Sequence, residues 1–322
     1  MYSSYRFIHE FMHFLWDNWF LLALCAPALW AIVNLIDVYF VEDIYDGPLD
    51  GLLLSSFFQI VPWIAVPFGI LEFRFLPLFP FTLFLIGGFL YMGAFYFYFK
   101  ALFQKNDVSL AQVLWTLSLP LVPIFSWVTL GERLEWIQYV GIFVAFLGGF
   151  FLSMDSSIRA EGFWSIAGTM LFANISLAAS MVIQSHAYEL VGEDGFWSGY
   201  LLFSLGAFLV APLVWVVKVR NAKVFQLARR YWFVFLISEG LALLGFLCSQ
   251  RALSLSSSPS FVAVLETLIP AFVMVFSIFL VALFRVFRFR TLFAEDIYRD
   301  QFRGASAKIA STVVIAVGIY LL

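Results

Sequence analysis

Three acidic side chains lie in stretches that otherwise hold almost nothing polar: Glu266 in "FVAVLETLIPAFVMVF", Glu239 in "WFVFLISEGLALLGFL" and Asp37 in "LWAIVNLIDVYFV". An ionisable residue at the centre of an apolar helix costs about 2.5–3.5 kcal/mol on insertion scales, so it normally faces protein or water and marks a site. At helical spacing each carboxylate continues into a stripe. Glu266 lines up with Pro270, Val273 and Ser277, Glu239 with Leu243, Phe246 and Gln250, and Asp37 with Asn34 and Trp30. Carboxylates lining a water-filled cavity would bind a cation, the ammonium of a zwitterion, or a coupling proton. The competing structural readings are an interfacial reach for Asp37 and structural pairing of Glu239 or Glu266 with Gln250, Arg251 or Lys308.

The elements that carry these residues follow from composition. Of 322 residues 63% are hydrophobic and only 12% charged, with a mean hydropathy of +0.96; soluble domains hold about 25% charged residues. The apolar residues arrive in blocks long enough to cross a hydrocarbon layer about 30 Å thick. Reading between polar gaps gives ten spans, at 18–41, 52–70, 78–99, 110–130, 136–154, 163–186, 196–217, 231–252, 259–284 and 304–322. The expected fold is an all-α polytopic membrane protein with no soluble domain. Residues before the first span, with His9, Glu10 and His13 among aromatics, read as an interfacial segment of the mature chain.

The chain also repeats itself. "KALFQKNDVSLAQVLWTLSLP" and "RALSLSSSPSFVAVLETLIP" align with Ala101 on Ala252 and Pro120 on Pro270, at offsets of 151 and 150. Span 1 maps onto span 6 at an offset of 147, which sets Trp30, Asn34 and Asp37 against Leu177, Met181 and Gln184. The expected halves are 1–154 and 155–322, five helices each. Because five is odd, two copies joined directly lie inverted in the bilayer, and inverted repeats place a site near mid-membrane at their interface.

The first half ends in "LPLVPIFSWVTLGERLEWIQYVG", where Gly131, Glu132, Arg133 and Leu134 are the short polar hinge between two apolar runs. Gly131 suits a left-handed helix end and Glu132 suits the N-terminal side of the next helix, so the hinge reads as a structural hairpin. Together with Ala101, Leu102, Ser109, Pro120, Gly141, Gly148 and Gly149, this pattern resembles the EamA-type drug/metabolite transporter superfamily. The resemblance is good over 91–154 and fair over 245–284. It implies that spans 1–4 and 6–9 surround a cavity, that spans 5 and 10 buttress the fold or a homodimer, and that both termini are cytoplasmic. No second "Gly-Glu-Arg-Leu" follows span 9; a basic, aromatic loop of interfacial character stands there instead.

Small residues on span 5 (Gly141, Ala145, Gly148, Gly149) and span 10 (Gly304, Ala307, Ala310, Ser311) suit close helix packing in lipid. Pro120 and Pro270, at matched positions, are the candidates for bending helices that gate the cavity. Trp30, Trp115, Thr116 and Gln184 are further lining candidates. The loops after odd-numbered spans hold 13 Lys and Arg against four on the other side, which by charge bias places both termini outside, opposite to the family expectation.

The net charge of −3 argues against nucleic acid. No metal-ligand spacing, phosphate loop or nucleophile-base pair is recognisable, and no cofactor or enzyme activity is expected. The reading is a multi-pass permease of the cell membrane, in contact with membrane lipids, that moves a small organic metabolite by alternating access, with a proton as the candidate coupling ion. The alternatives are a flippase for a lipid-linked sugar or other lipid, favoured by the aromatic spans, and a non-transporting receptor or assembly factor, in which the central carboxylates would be paired.

Overall fold

The computed structural model describes residues 14–40, 45–105, 114–153, 163–217, 221–287 and 305–322. Among them every regular element is helical. The helices are α1 Trp19–Tyr39, α2 Pro48–Phe58, α3 Val61–Ile64, α4 Leu78–Lys105, α5 Ser118–Leu130, α6 Trp136–Ser153, α7 Phe163–Val191, α8 Phe196–Phe208, α9 Val210–Val217, α10 Asn221–Arg230, α11 Trp232–Leu255, α12 Pro259–Glu266, α13 Ile269–Phe287 and α14 Ala305–Tyr320. Six stretches are long and apolar enough to cross a membrane: Trp19–Asp37, Leu78–Phe103, Trp164–Val191, Glu193–Val217, Trp232–Leu255 and Pro259–Phe279. Four shorter apolar stretches accompany them, Pro48–Ile64, Ser118–Leu130, Trp136–Phe151 and Lys308–Tyr320. Residues 1–13 of the expected N-terminal interfacial segment 1–17, the boundary between halves at 154/155 and residues 288–303 of the basic loop 285–303 lie outside the described residues, as does Ser109.

Large apolar side chains cover the outside, among them Phe75, Trp136, Trp164 and Val216. Such a surface is stable only against lipid, since the largest apolar patch on a typical soluble monomer is a few hundred Å². α10 differs in kind. The sequence reading left this stretch as a polar gap, yet it folds as a short basic amphipathic helix that buries Val224 and ends in Arg229 and Arg230.

Helices from the first part of the chain pack mainly on helices from the second. α1 lies along α11 and against α13, α4 lies along α7 and α8, α5 packs on α7 and α12, and α6 packs on α14. Small residues set the close approaches, as expected where lipid gives helices no hydrophobic reason to associate. A Cβ on Gly141 would lie 2.7 Å from the Gly318 carbonyl, and one on Gly148 would lie 2.8 Å from the Ile315 amide, so the small faces of α6 and α14 are spent on each other. α4 and α8 are drawn together in the same way: a Cβ on Gly88 would lie 2.0 Å from the Phe203 carbonyl, and one on Gly206 would lie 2.1 Å from that of Leu85. α2 and α11 are joined instead by a side-chain hydrogen bond, described below.

Two helix breaks fall at matched places. A turn at Thr116–Leu117 precedes α5, and a turn at Thr267–Leu268 separates α12 from α13. In each the second leucine's amide bonds three residues back, Leu117 to the Leu114 carbonyl at 3.2 Å and Leu268 to the Leu265 carbonyl at 3.1 Å. Both breaks come just before a proline, Pro120 or Pro270, whose missing N–H would otherwise have bonded to the carbonyl of Thr116 or Glu266. The polar hinge is a tight hairpin. Gly131 closes α5 with φ 70° and ψ 14°, its amide bonding to Trp127. Glu132 departs from the expected dipole role: its carboxylate reaches back to accept from the Ser126 hydroxyl on α5, and Arg133 follows in the turn before α6 begins at Trp136.

Candidate functional site

α1, α2, α4, α5, α7, α11, α12 and α13 enclose a cavity of ≈ 100 Å³. A space of about 10–15 Å³ by such a measure holds one water, so several waters or a small organic molecule fit. All three carboxylates singled out above, Asp37, Glu239 and Glu266, line it, together with Trp30, Asn34, Trp115, Thr116 and Pro270. Gln184 and Pro120 do not line it. Gln184 is buried against α4 and donates to the Ser180 carbonyl at 3.0 Å, because α7 meets α4 at Gly87 there instead of turning that face inward.

Two of the three acids, Glu239 and Glu266, are each held by a serine hydroxyl. Ser55 of α2 donates to Glu239 Oε1 at 2.7 Å, and Ser249 of α11 donates to Glu266 Oε1 at 2.7 Å. The expected pairing partners lie elsewhere. Arg251 bonds to the Trp16 carbonyl at 3.3 Å, meets Asp17 at 3.5 Å and stacks over the rings of Trp16 and Phe196. Gln250 accepts from the Tyr188 hydroxyl at 2.9 Å. No Lys, Arg or His lines the cavity among the described residues. Asp37 lies on α1 between Trp30, bonded to Ala242 of α11, and Phe40, stacked on Phe235 of α11 with centroids 4.3 Å apart, which sets it level with Glu239 across the cavity.

Two of the expected stripes need correction. The cavity face of α11 runs through Glu239, Ala242 and Phe246, with Ser249 bonded to Glu266, whereas Leu243 does not line the cavity and the Gln250 side chain accepts from Tyr188. The proposed face Glu266–Pro270–Val273–Ser277 assumed a continuous helix; the break at Thr267–Leu268 ends that register, and of these four only Glu266 and Pro270 line the cavity. The α1 stripe stands as read, and Trp30 is fixed on it by an Nε1–H bond to the Ala242 carbonyl at 3.4 Å. Sequence reasoning missed Ser55, Ser249, Tyr91 and Tyr98. One signal was present for a further residue: "Leu-Trp-Thr-Leu" at 114–117 and "Leu-Glu-Thr-Leu" at 265–268 make Thr267 the counterpart of Thr116 and set Glu266 against Trp115. Both threonines lie against Gly149 of α6, where an added Cβ would sit 3.4 Å from Thr116 Cγ2 and 3.6 Å from Thr267 Cβ.

Apolar spans around a cavity lined by three acids define a helical membrane protein. Residues 17–154 match the model of the EamA-like transporter family, a family of the drug/metabolite transporter superfamily. No curated protein matches the chain. One crystal structure, of a protein that carries no functional name, is similar at 16% identity with a TM-score of 0.61, covering 94% of this chain and 95% of that one; it speaks to fold alone.

Proposed function

We propose that the chain is a ten-span secondary permease of the cell membrane, built as two inverted five-helix halves, that moves a small organic metabolite by alternating access and exchanges it for protons through Glu266. The six long spans and four shorter apolar helices fall where ten spans were expected. Packing partners recur in symmetric pairs, α1 with α11 and α4 with α7, or α1 with α12 and α13 and α5 with α7. Such pairing fits inverted repeats. The observation that carries the reading is the convergence of carboxylates from both halves on one enclosed cavity whose wall contains the two matched helix breaks. A receptor with paired central carboxylates fits less well, because Glu239 and Glu266 are held by serines. Pro120 and Pro270 are the natural bending points for gating.

Reconstituted liposomes loaded with a pH-sensitive dye test this. A panel of amines, amino acids, nucleosides and sugars is added outside. Proton release on addition of one class, abolished in Glu266→Gln protein that still inserts, is the expected result; normal pH-dependent flux in that variant removes the proton role.

A further inference from the structure

The cavity has a charge and wall chemistry that select a class of substrate, and this inference rests on the permease reading. Its two acidic poles lie at different depths. Glu239 and Ser249 are ten residues apart on α11, so at 1.5 Å per residue the carboxylate bonded to Ser249, that of Glu266, sits about 15 Å along the axis from the Glu239 backbone. Asp37, between Trp30 and Phe40, which meet Ala242 and Phe235 of α11, joins Glu239 at one pole, and Glu266 occupies the other. Between them the wall is aromatic. Trp30 packs against Phe246 with centroids 5.6 Å apart, Tyr91 meets the same ring at 5.0 Å, and Phe95 meets Trp115 at 6.2 Å.

A cation gains from both features, attracted by the carboxylates and by the electron-rich faces of the rings. A carboxylate or phosphate would enter with no lining guanidinium, ammonium or imidazole among the described residues to receive it, and would face acids at both ends. A zwitterion would satisfy its ammonium and leave its carboxylate against the same walls; burying a charge without a partner is costly.

We infer that the cavity is an organic-cation site in which Asp37 and Glu239 receive the ammonium of an amine and the rings between the poles receive its apolar body.

The test is binding by purified, detergent-solubilised full-length protein, read by tryptophan quenching and by melting point. The probes share one skeleton: 2-phenylethylamine, its neutral N-acetyl derivative, the anion 3-phenylpropanoate and the zwitterion phenylalanine, with tetraethylammonium and tryptamine as further cations. Cations alone should bind and raise the melting point. Their affinity should fall at least about tenfold in Asp37→Asn and in Glu239→Gln, with the ligand-free melting point showing which variants remain folded. Equal binding of the anion, the zwitterion or the neutral derivative, no binding of any cation, or unchanged cation affinity in both variants overturns the inference. Flux in liposomes separates it from the permease reading: a protein that binds amines and moves none keeps the site and loses the transport, whereas one that moves an anion or zwitterion keeps the transport and loses the cation class.

Discussion

Arg251 shows how a buried charge is kept away from the acids of the cavity. Its guanidinium, 5.3 Å from the Trp16 ring and 5.1 Å from that of Phe196, is held where α11 nears its end and meets the segment leading into α1. Had it reached Glu239 or Glu266, the cavity would be neutralised by an internal partner. Arg251→Met is expected to lower stability by about 2 kcal/mol, the scale of a desolvated cation–ring contact, and to leave ligand affinity unchanged; denaturation melts and binding titrations check the two halves of that statement. The carboxylates were legible in the sequence because a charge in an apolar run is conspicuous. Their partners were not, since Ser55 and Ser249 are small hydroxyl residues of a kind common in membrane helices, and only the packing of α2 and α12 against α11 reveals what they hold. Gln184 misled for the opposite reason: a polar residue in a span looked like a cavity residue, yet it bonds within its own helix.

At the scale of elements, two devices set the geometry. The first is the pair of glycines that lets α4 and α8 touch. A Cβ on Gly206 would fall 2.1 Å from a backbone carbonyl, which no side-chain rotation relieves. Gly206→Leu should therefore push the helices apart and cost about 1–3 kcal/mol, seen as a lower melting point. The second is the broken helix before each proline. Pro270→Ala restores the amide that Glu266's carbonyl lacks and favours one continuous helix in place of α12 and α13. If that break is a hinge, the variant should still bind ligand while its maximal transport rate falls several-fold, an effect on kcat more than KM. The prolines were read correctly as a matched pair, but a continuous 3.6-residue register carried past Glu266 put Val273 and Ser277 on a face they do not occupy. A break costs a register, and hydropathy alone does not locate it.

For the whole molecule, the all-helical character and the six long spans were readable because lipid forces every backbone group into helices, which leaves length and apolarity as sufficient signals. The hinge at Gly131 was readable for the same reason, as its left-handed backbone favours glycine. Which helices touch was not readable, because close contacts depend on small residues dispersed through apolar sequence. The resulting arrangement is asymmetric: α4 and α8 are zipped by glycines, while α2 and α11 are joined by the Ser55–Glu239 bond. If the protein works by the proposed alternating access, the α2–α11 seam is the part that changes. Spin labels at Phe58 and Leu244 should shift relative to each other by several ångströms on addition of ligand. A pair at Phe143 and Val313, on the close-packed α6 and α14, should not. The central claim, that a carboxylate in this cavity couples substrate to protons, has one most direct measurement: uptake driven by an imposed pH gradient in liposomes containing wild-type or Glu266→Gln protein. The account predicts accumulation by the wild type and none above the protein-free level by the variant, with binding retained. Equal gradient-driven accumulation by both would contradict it.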